Sequence, residues 1–465
     1  MDKVFVWYWR PGAGSSDADG SASEPVCAGE LRATGRMQDG DEVFAFQYSP
    51  EYLATLGATS IFTPDLPLQL EPLDPSEPFG SSDPVGLSGA LRDAAPDFWG
   101  RRVVNLLHGL PGPADPTAFT FPKELVLPEL TYLMAAAGTN RIGALDFQLS
   151  GTEFKVHDDA ASLAEIIELT ELVLADRPIP PELLSAARCA TGIGGWRPKA
   201  LLNDGDRQLI AKFEHPVDER PMVQLEAVSM LLAPYAGIPA ESGVEVIDAG
   251  WAGKVMLIER FDRPPFNQAS PPAGARSAAS SGIPNVAAEF TGARRQIVSM
   301  RSALSLNEQG QGAITYPRIA DAVRTGPWAN KTETLHQLFR RLVYSILVSN
   351  KDDHLRNTAA FWDGRQLTLT PAFDIAPQSR MQYKSAQFPG VTRDGQRASQ
   401  LRLCHLAAPE FNLSFAEADA IIDDIITAIR TNWNDACDQA LLTKAERDSM
   451  MGREFLHPYA FADAE

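Results

Sequence analysis

Cysteine is scarce. Cys27, Cys189, Cys404 and Cys437 lie far apart and no CxxC spacing occurs. Neither a disulfide framework nor a cysteine-based zinc site is suggested, and reduced thiols in a cytoplasm are expected. Long apolar runs are also missing: no stretch approaches the ~20 residues a membrane-crossing helix needs. The apolar segment 4–9 is closed at once by Arg10-Pro11-Gly12, too soon for a signal-peptide core, and is expected to be a first strand. Basic residues are outnumbered by acidic ones, 41 to 60, for a formal charge of −19. That field repels polyphosphate backbones, so direct nucleic-acid binding would need a local basic patch, and no Lys/Arg run supplies one. There is no internal repeat. What remains, at 44% hydrophobic and 22% charged residues, is the composition of an ordinary globular protein. A chain of 465 residues can form two or three lobes around a large core.

The pattern along the chain changes from strands to helices. Residues 1–120 mix short strands with turn signals such as Pro11-Gly12 and Asp39-Gly40. Val43, Ala45 and Gln47 alternate with aromatic neighbours as in a strand, and Ser49-Pro50 opens a new element. Further on, the runs 200–202 and 208–213 flank Asn203-Asp204-Gly205-Asp206, a hairpin turn. Val223, Glu226, Ala227, Met230 and Leu231 then follow helical spacing on one side, ending near Pro234. Residues 264–293 are rich in Pro, Ala, Ser and Gly and read as a mobile surface insertion. From about residue 300 the chain turns helical. Leu335, Leu338, Phe339, Leu342, Val343, Ile346 and Leu347 form a continuous apolar stripe. Ser414 and Glu417 have the spacing of a capping box ahead of Ile421, Ile422, Ile425, Ile426 and Ile429.

Directly after the apolar stripe comes Ser349-Asn350-Lys351-Asp352-Asp353-His354-Leu355-Arg356-Asn357. Asp352 and Asn357 have the D-x-x-x-x-N offset of a kinase catalytic loop, where the Asp accepts a hydroxyl proton and the Asn reaches magnesium. The His-Arg that usually precedes them is missing. A polar turn capping the helix end is the competing reading, and Asp353 and His354 read as residues that orient the loop. A hairpin around Asp363-Gly364 then delivers Pro371-Ala372-Phe373-Asp374. Asp374 is placed to be the second hard oxygen ligand that phosphoryl transfer requires.

Lys212 sits in Leu209-Ile210-Ala211-Lys212, a strand like the kinase Val-Ala-Ile-Lys, and Glu226 on the next helix is a candidate partner. Upstream, Thr191-Gly192-Ile193-Gly194-Gly195-Trp196-Arg197-Pro198-Lys199 has three glycines that permit close approach to phosphate, with Arg197 and Lys199 adding charge. It lacks the Gly-Lys-Ser/Thr of a Walker loop, and a flexible linker is the competing reading. The apolar run ending in Glu259-Arg260-Phe261-Asp262-Arg263 suits a hinge strand or an ordinary strand end.

These segments together resemble the HipA family of bacterial serine/threonine kinases, known as toxins of type II toxin–antitoxin systems. The resemblance extends upstream through Phe46-Gln47-Tyr48-Ser49-Pro50-Glu51-Tyr52, Pro96-Asp97-Phe98-Trp99-Gly100 and Arg141-Ile142-Gly143-Ala144-Leu145. It implies an α+β, protein-kinase-like two-lobed fold with a strand-rich N-terminal part and a helical C-terminal lobe. The divisions expected are an accessory region 1–120, a nucleotide-binding lobe 121–263, the insertion 264–293 and a catalytic lobe 294–465. It also implies ATP and magnesium as cofactors. Asp352 would be the catalytic base, and Asn357 and Asp374 the metal ligands. Lys212, Gly194, Gly195, Lys199, Glu226, Glu259 and Phe261 would hold the nucleotide. The substrate would be a protein of the translation apparatus, such as an aminoacyl-tRNA synthetase. A helix-turn-helix antitoxin would be the partner, with DNA reached only through it, and no membrane. Where several family members autophosphorylate a serine in the glycine-rich loop, this chain has Gly192, with Thr191 as the nearest hydroxyl. A lipid or small-molecule acceptor, or a non-catalytic nucleotide-binding regulator of an antitoxin, are the alternatives.

Overall fold

In a computed structural model, placement is described for residues 1–11, 24–36, 42–70, 87–112, 121–122, 125–136, 141–156, 159–205, 207–240, 243–263, 294–306, 314–378 and 384–462. The expected turn Asp39-Gly40 and the expected insertion 264–293 lie outside the described residues. The chain divides into two units, one of residues 1–217 with 259–297 and one of residues 218–258 with 298–465.

The first unit is built on the alternation read in its opening residues. Strands β1 (Lys3–Tyr8), β2 (Val26–Arg36), β3 (Glu42–Tyr48) and β4 (Leu145–Gln148) form an antiparallel sheet in the order β3-β2-β1-β4. Phe44, Phe46 and Tyr48 of β3 are buried, the aromatic half of the alternation. Gly29 of β2 lies opposite Tyr48, and a Cβ there would come within 2.1 Å of the Gln47 carbonyl oxygen, so the two strands can close only over glycine. Ser49 ends the sheet by capping the turn Pro50–Leu53, its Oγ accepting from Tyr52 N–H at 3.0 Å. Helices Phe98–Leu107, Glu129–Ala135 and Leu163–Leu174 follow, and the hairpin of β5 (Lys199–Asp204) and β6 (Arg207–Phe213) turns at Gly205, whose φ is 57°.

A buried ion cluster ties distant parts of this unit together. The Asp262 carboxylate accepts from Arg260 Nε at 2.9 Å, from Arg263 at 2.8 Å and from the Gly143 N–H at 2.8 Å. Arg260 and Arg263 also donate to the Arg141 carbonyl, at 2.8 and 2.6 Å. Arg141 itself is fully buried, bonded to the carbonyls of Ala94 and Leu133 and close to Asp146.

The second unit carries the helix Met222–Leu232 and the hairpin of β7 (Glu245–Asp248) and β8 (Lys254–Glu259), whose last residue returns to the first unit. The spacing of Val223, Glu226, Ala227, Met230 and Leu231 predicted this helix, and it is buried along most of its length, with Gln224 4% and Glu226 2% exposed. Gln224 is accommodated by donating to the carbonyls of Ala440 and Leu441. The helix Lys331–Leu347 buries its whole expected stripe. The helix Phe415–Gln439 starts on the expected capping box, with Ser414 N–H donating to Glu417 at 2.8 Å and Glu417 N–H to Ser414 Oγ at 3.3 Å.

Burial alone would raise the pKa of Asp262, but Arg260 and Arg263 outweigh it and hold the carboxyl below the ordinary carboxylate range. A depressed folded-state pKa contributes stability that is complete above the unfolded value of about 3.9 and is lost as pH falls below it. Asp262→Ala should therefore cost roughly 3–5 kcal/mol at neutral pH by stranding two buried guanidinium groups. The gap from wild type should narrow as urea titrations are repeated below about pH 4.

Candidate active site

In the first unit, the glycine-rich segment runs from Thr191 into β5. Gly195 has a φ of 108°, a backbone open to glycine, and a Cβ there would fall 2.3 Å from the Lys199 Nζ. Lys199 stands directly opposite Lys212 across the β5–β6 hairpin, so both side chains leave the same face. They are only 5% and 6% exposed. Thr191 is turned the other way: it is fully buried, and its hydroxyl donates to the carbonyls of Arg188 at 2.8 Å and Ala135 at 3.2 Å. Glu259 ends β8, half-buried, with Phe261 two residues on. The Arg260 N–H between them donates to the Gln208 carbonyl of β6 at 2.9 Å, which lashes this strand end to the strand bearing Lys212.

In the second unit, the helix Lys331–Leu347 ends and Ser349 turns the chain with a φ of 56°, into the loop 350–357. Asp353 points inward, where its carboxylate accepts from the Tyr316 hydroxyl and from Ser345 Oγ at 3.3 Å. Burial pushes its pKa up, against those two hydrogen bonds and the nearby His354 and Arg341. Asp352 faces the other way and stays in contact with solvent. The chain around it nonetheless desolvates its carboxyl enough to raise the pKa, with His354 opposing and Asp374 adding to the rise. The Asn357 amide nitrogen donates to the Asp352 carbonyl at 3.1 Å, which leaves the amide oxygen as the group able to face a cation.

Asp374 reaches this loop by the expected hairpin. Strands Ala359–Trp362 and Leu367–Leu369 pair antiparallel, and Asp363 Oδ1 holds the turn by accepting from the N–H groups of Arg365 and Gln366 at 2.8 and 2.7 Å. Asp374 itself adopts a φ of 56°. Just beyond it, the Gln378 N–H donates to the Ser349 carbonyl at 3.0 Å and pins the segment to the start of the loop. The second unit therefore brings Asp352, Asn357 and Asp374 together, and the first brings Gly195, Lys199 and Lys212 together. Glu226 is buried on the helix Met222–Leu232 of the second unit, with Gln224 and Ser229 also buried on that helix. Sequence reasoning passed over Tyr316, because a partner 37 residues away has no signature in spacing.

Strands and helices in this order, with an acid and an amide on a loop after a buried helix and a second acid beyond the next hairpin, define a kinase-like α+β protein. The family model for the HipA-like C-terminal domain matches residues 191–433, just over half of the chain, and the chain belongs to that family. Among solved structures, the chain is similar to one in the Shewanella oneidensis MR-1 toxin–antitoxin complex of HipA, HipB and operator DNA. That match has a TM-score of 0.57 at 14% identity and covers 96% of this chain and 94% of that one. The Helicobacter pylori proinflammatory kinase CtkA overlays on 55% of this chain and 91% of its own, at 11% identity and a TM-score of 0.34. No curated protein matches the sequence.

Removing the Tyr316 hydroxyl leaves a buried carboxylate short of a donor. Tyr316→Phe is expected to lower the unfolding free energy by roughly 1–3 kcal/mol in urea titrations. Asp353→Ala should lower it at least as much, since Tyr316, Ser345 and the buried Arg341 all lose their acidic neighbour.

Proposed function

We propose that this protein is an ATP-dependent serine/threonine protein kinase of the HipA type. The observation that carries the reading is the second unit's grouping of Asp352, Asn357 and Asp374, with Asp352 directed to solvent while its neighbour Asp353 is anchored inside. The acceptor hydroxyl gives its proton to the Asp352 carboxylate as its oxygen attacks the γ-phosphorus. A new P–O bond forms, the bond to the bridging oxygen breaks, and ADP leaves.

The residues fit magnesium. An ion bound with a nucleotide takes one or two protein oxygens and fills its octahedron with phosphate and water. The Asp374 carboxylate and the Asn357 amide oxygen are hard donors of that kind. Among the described residues no group of three or more His, Cys, Asp or Glu forms a closed metal cage, in keeping with such a partial ligand set. Magnesium there would offset the charge on the phosphate oxygens. Lys199 and Lys212 would receive the phosphates beside Gly194 and Gly195. The Glu259–Phe261 backbone would take the adenine.

The partner in this reading is a helix-turn-helix antitoxin, by analogy with the HipA and HipB complex. DNA would be reached only through it, as the charge of −19 favours. The substrate would be a translation component such as an aminoacyl-tRNA synthetase, and the place of action the cytoplasm. Among the described residues no helix is long and apolar enough to cross a membrane.

Asp352→Ala should lower the transfer rate from labelled ATP to protein by about 10²–10⁴-fold while melting as wild type does. Full transfer by that variant would remove Asp352 from the chemistry. Label appearing only in lipid or small molecules would move the acceptor to the alternative class.

A further inference from the structure

The segment Pro96-Asp97-Phe98-Trp99-Gly100 takes no part in the chemistry above, yet it folds directly against the glycine-rich loop of the same unit. Asp97 occupies the N-cap position of the helix Phe98–Leu107 but makes no capping hydrogen bond with its side chain. A carboxylate there ordinarily accepts from the second or third amide of its own helix. Here Asp97 Oδ2 accepts from the Gly195 N–H instead, at 3.2 Å. The Trp99 N–H, one of the amides a helix start leaves without an intrahelical partner, donates to the Gly195 carbonyl at 3.1 Å. The helix start and the Gly195 peptide thus exchange two hydrogen bonds.

Two further contacts hold the ends of the loop. The Trp99 indole N–H, on a side chain only 2% exposed, donates to the Lys199 carbonyl at 2.8 Å. At the other end, a Cβ on Gly100 would come within 2.6 Å of the Thr191 carbonyl oxygen, so the helix can approach the loop this closely only with glycine. The loop is hydrogen-bonded at residues 195 and 199 and closely packed at residue 191, the span a flexible glycine segment would otherwise explore. Glycine loses the most conformational freedom on ordering, and ordering a loop in advance removes that cost from ligand binding.

We propose that Asp97, Trp99 and Gly100 are positioning residues that hold the glycine-rich loop in its phosphate-receiving shape without touching the nucleotide. The proposal rests on the kinase reading of that loop. It also assigns Asp97 a supporting role, against the alternative that its carboxylate competes with phosphate for the Gly195 N–H.

The test uses the full-length protein as wild type, Asp97→Ala, Asp97→Asn and Trp99→Phe. It measures calorimetric binding of MgATP and of adenosine, which lacks phosphates, and amide exchange across residues 191–199. Asp97→Ala and Trp99→Phe should weaken MgATP binding by about tenfold, the scale of one lost hydrogen bond, and leave adenosine binding unchanged. Asp97→Asn, whose amide oxygen can accept the same bond, should restore binding. Exchange at Gly195 should accelerate in Asp97→Ala. Where wild type binds MgATP, equal or tighter binding by Asp97→Ala overturns the proposal, as does a parallel loss of adenosine. Unchanged exchange at Gly195 overturns it whatever the nucleotide does. If wild type ignores MgATP while exchange still accelerates in Asp97→Ala, the kinase reading fails and the clamp on the loop is upheld.

Discussion

Burying a carboxylate forfeits several kcal/mol of hydration, and the chain must supply donors in return. At Asp353 that demand is met by the Tyr316 hydroxyl and Ser345. The consequence reaches the next residue. With Asp353 anchored in the interior, the adjacent Asp352 side chain is turned out of it and remains in contact with solvent. Segment 384–400 adds to the anchoring from the other side, with the Phe388 N–H donating to the Lys351 carbonyl at 3.2 Å and the Phe388 ring meeting His354 edge-on.

The same requirement organises the first unit by a different route. Asp262 collects two guanidinium groups and the Gly143 amide, and those guanidinium groups also grip the Arg141 carbonyl. A charge cluster of this sort is weak evidence for net stability, because apolar replacements can do as well. What it supplies is register. The fork of each arginine fits one arrangement of carboxylate and carbonyls, so the strand end Glu259–Phe261 can meet the 141–145 segment in only one way.

Where local chemistry dictates structure, the sequence was legible. The stripe from Leu335 to Leu347, the Ser414–Glu417 capping box and the Asp363-Gly364 turn each rest on contacts within a few residues, and each is present. The D-x-x-x-x-N spacing could be read for the same reason, since the Asn357 amide closes back on the Asp352 carbonyl five residues away. On the helix Met222–Leu232 the spacing of Val223, Glu226, Ala227, Met230 and Leu231 disclosed the helix, but periodicity could not disclose that positions off that side, Gln224 among them, are buried as well. Asp97 sits at a helix N-cap position in the structure. Its actual partner lies 98 residues away, and only the tertiary fold reveals that the cap serves the loop.

Two of the residues that shape the site run against local preference. Ser349 and Asp374 both hold a φ of 56°, a conformation most side chains avoid. Asp tolerates it better than most, and Ser gains little from it. Such a backbone persists only where surrounding contacts over-determine it, and the Gln378 N–H bonded to the Ser349 carbonyl is a contact of that kind. That bond ties the turn at Ser349 to the segment following Asp374, so the loop bearing Asp352 and the segment bearing Asp374 are linked.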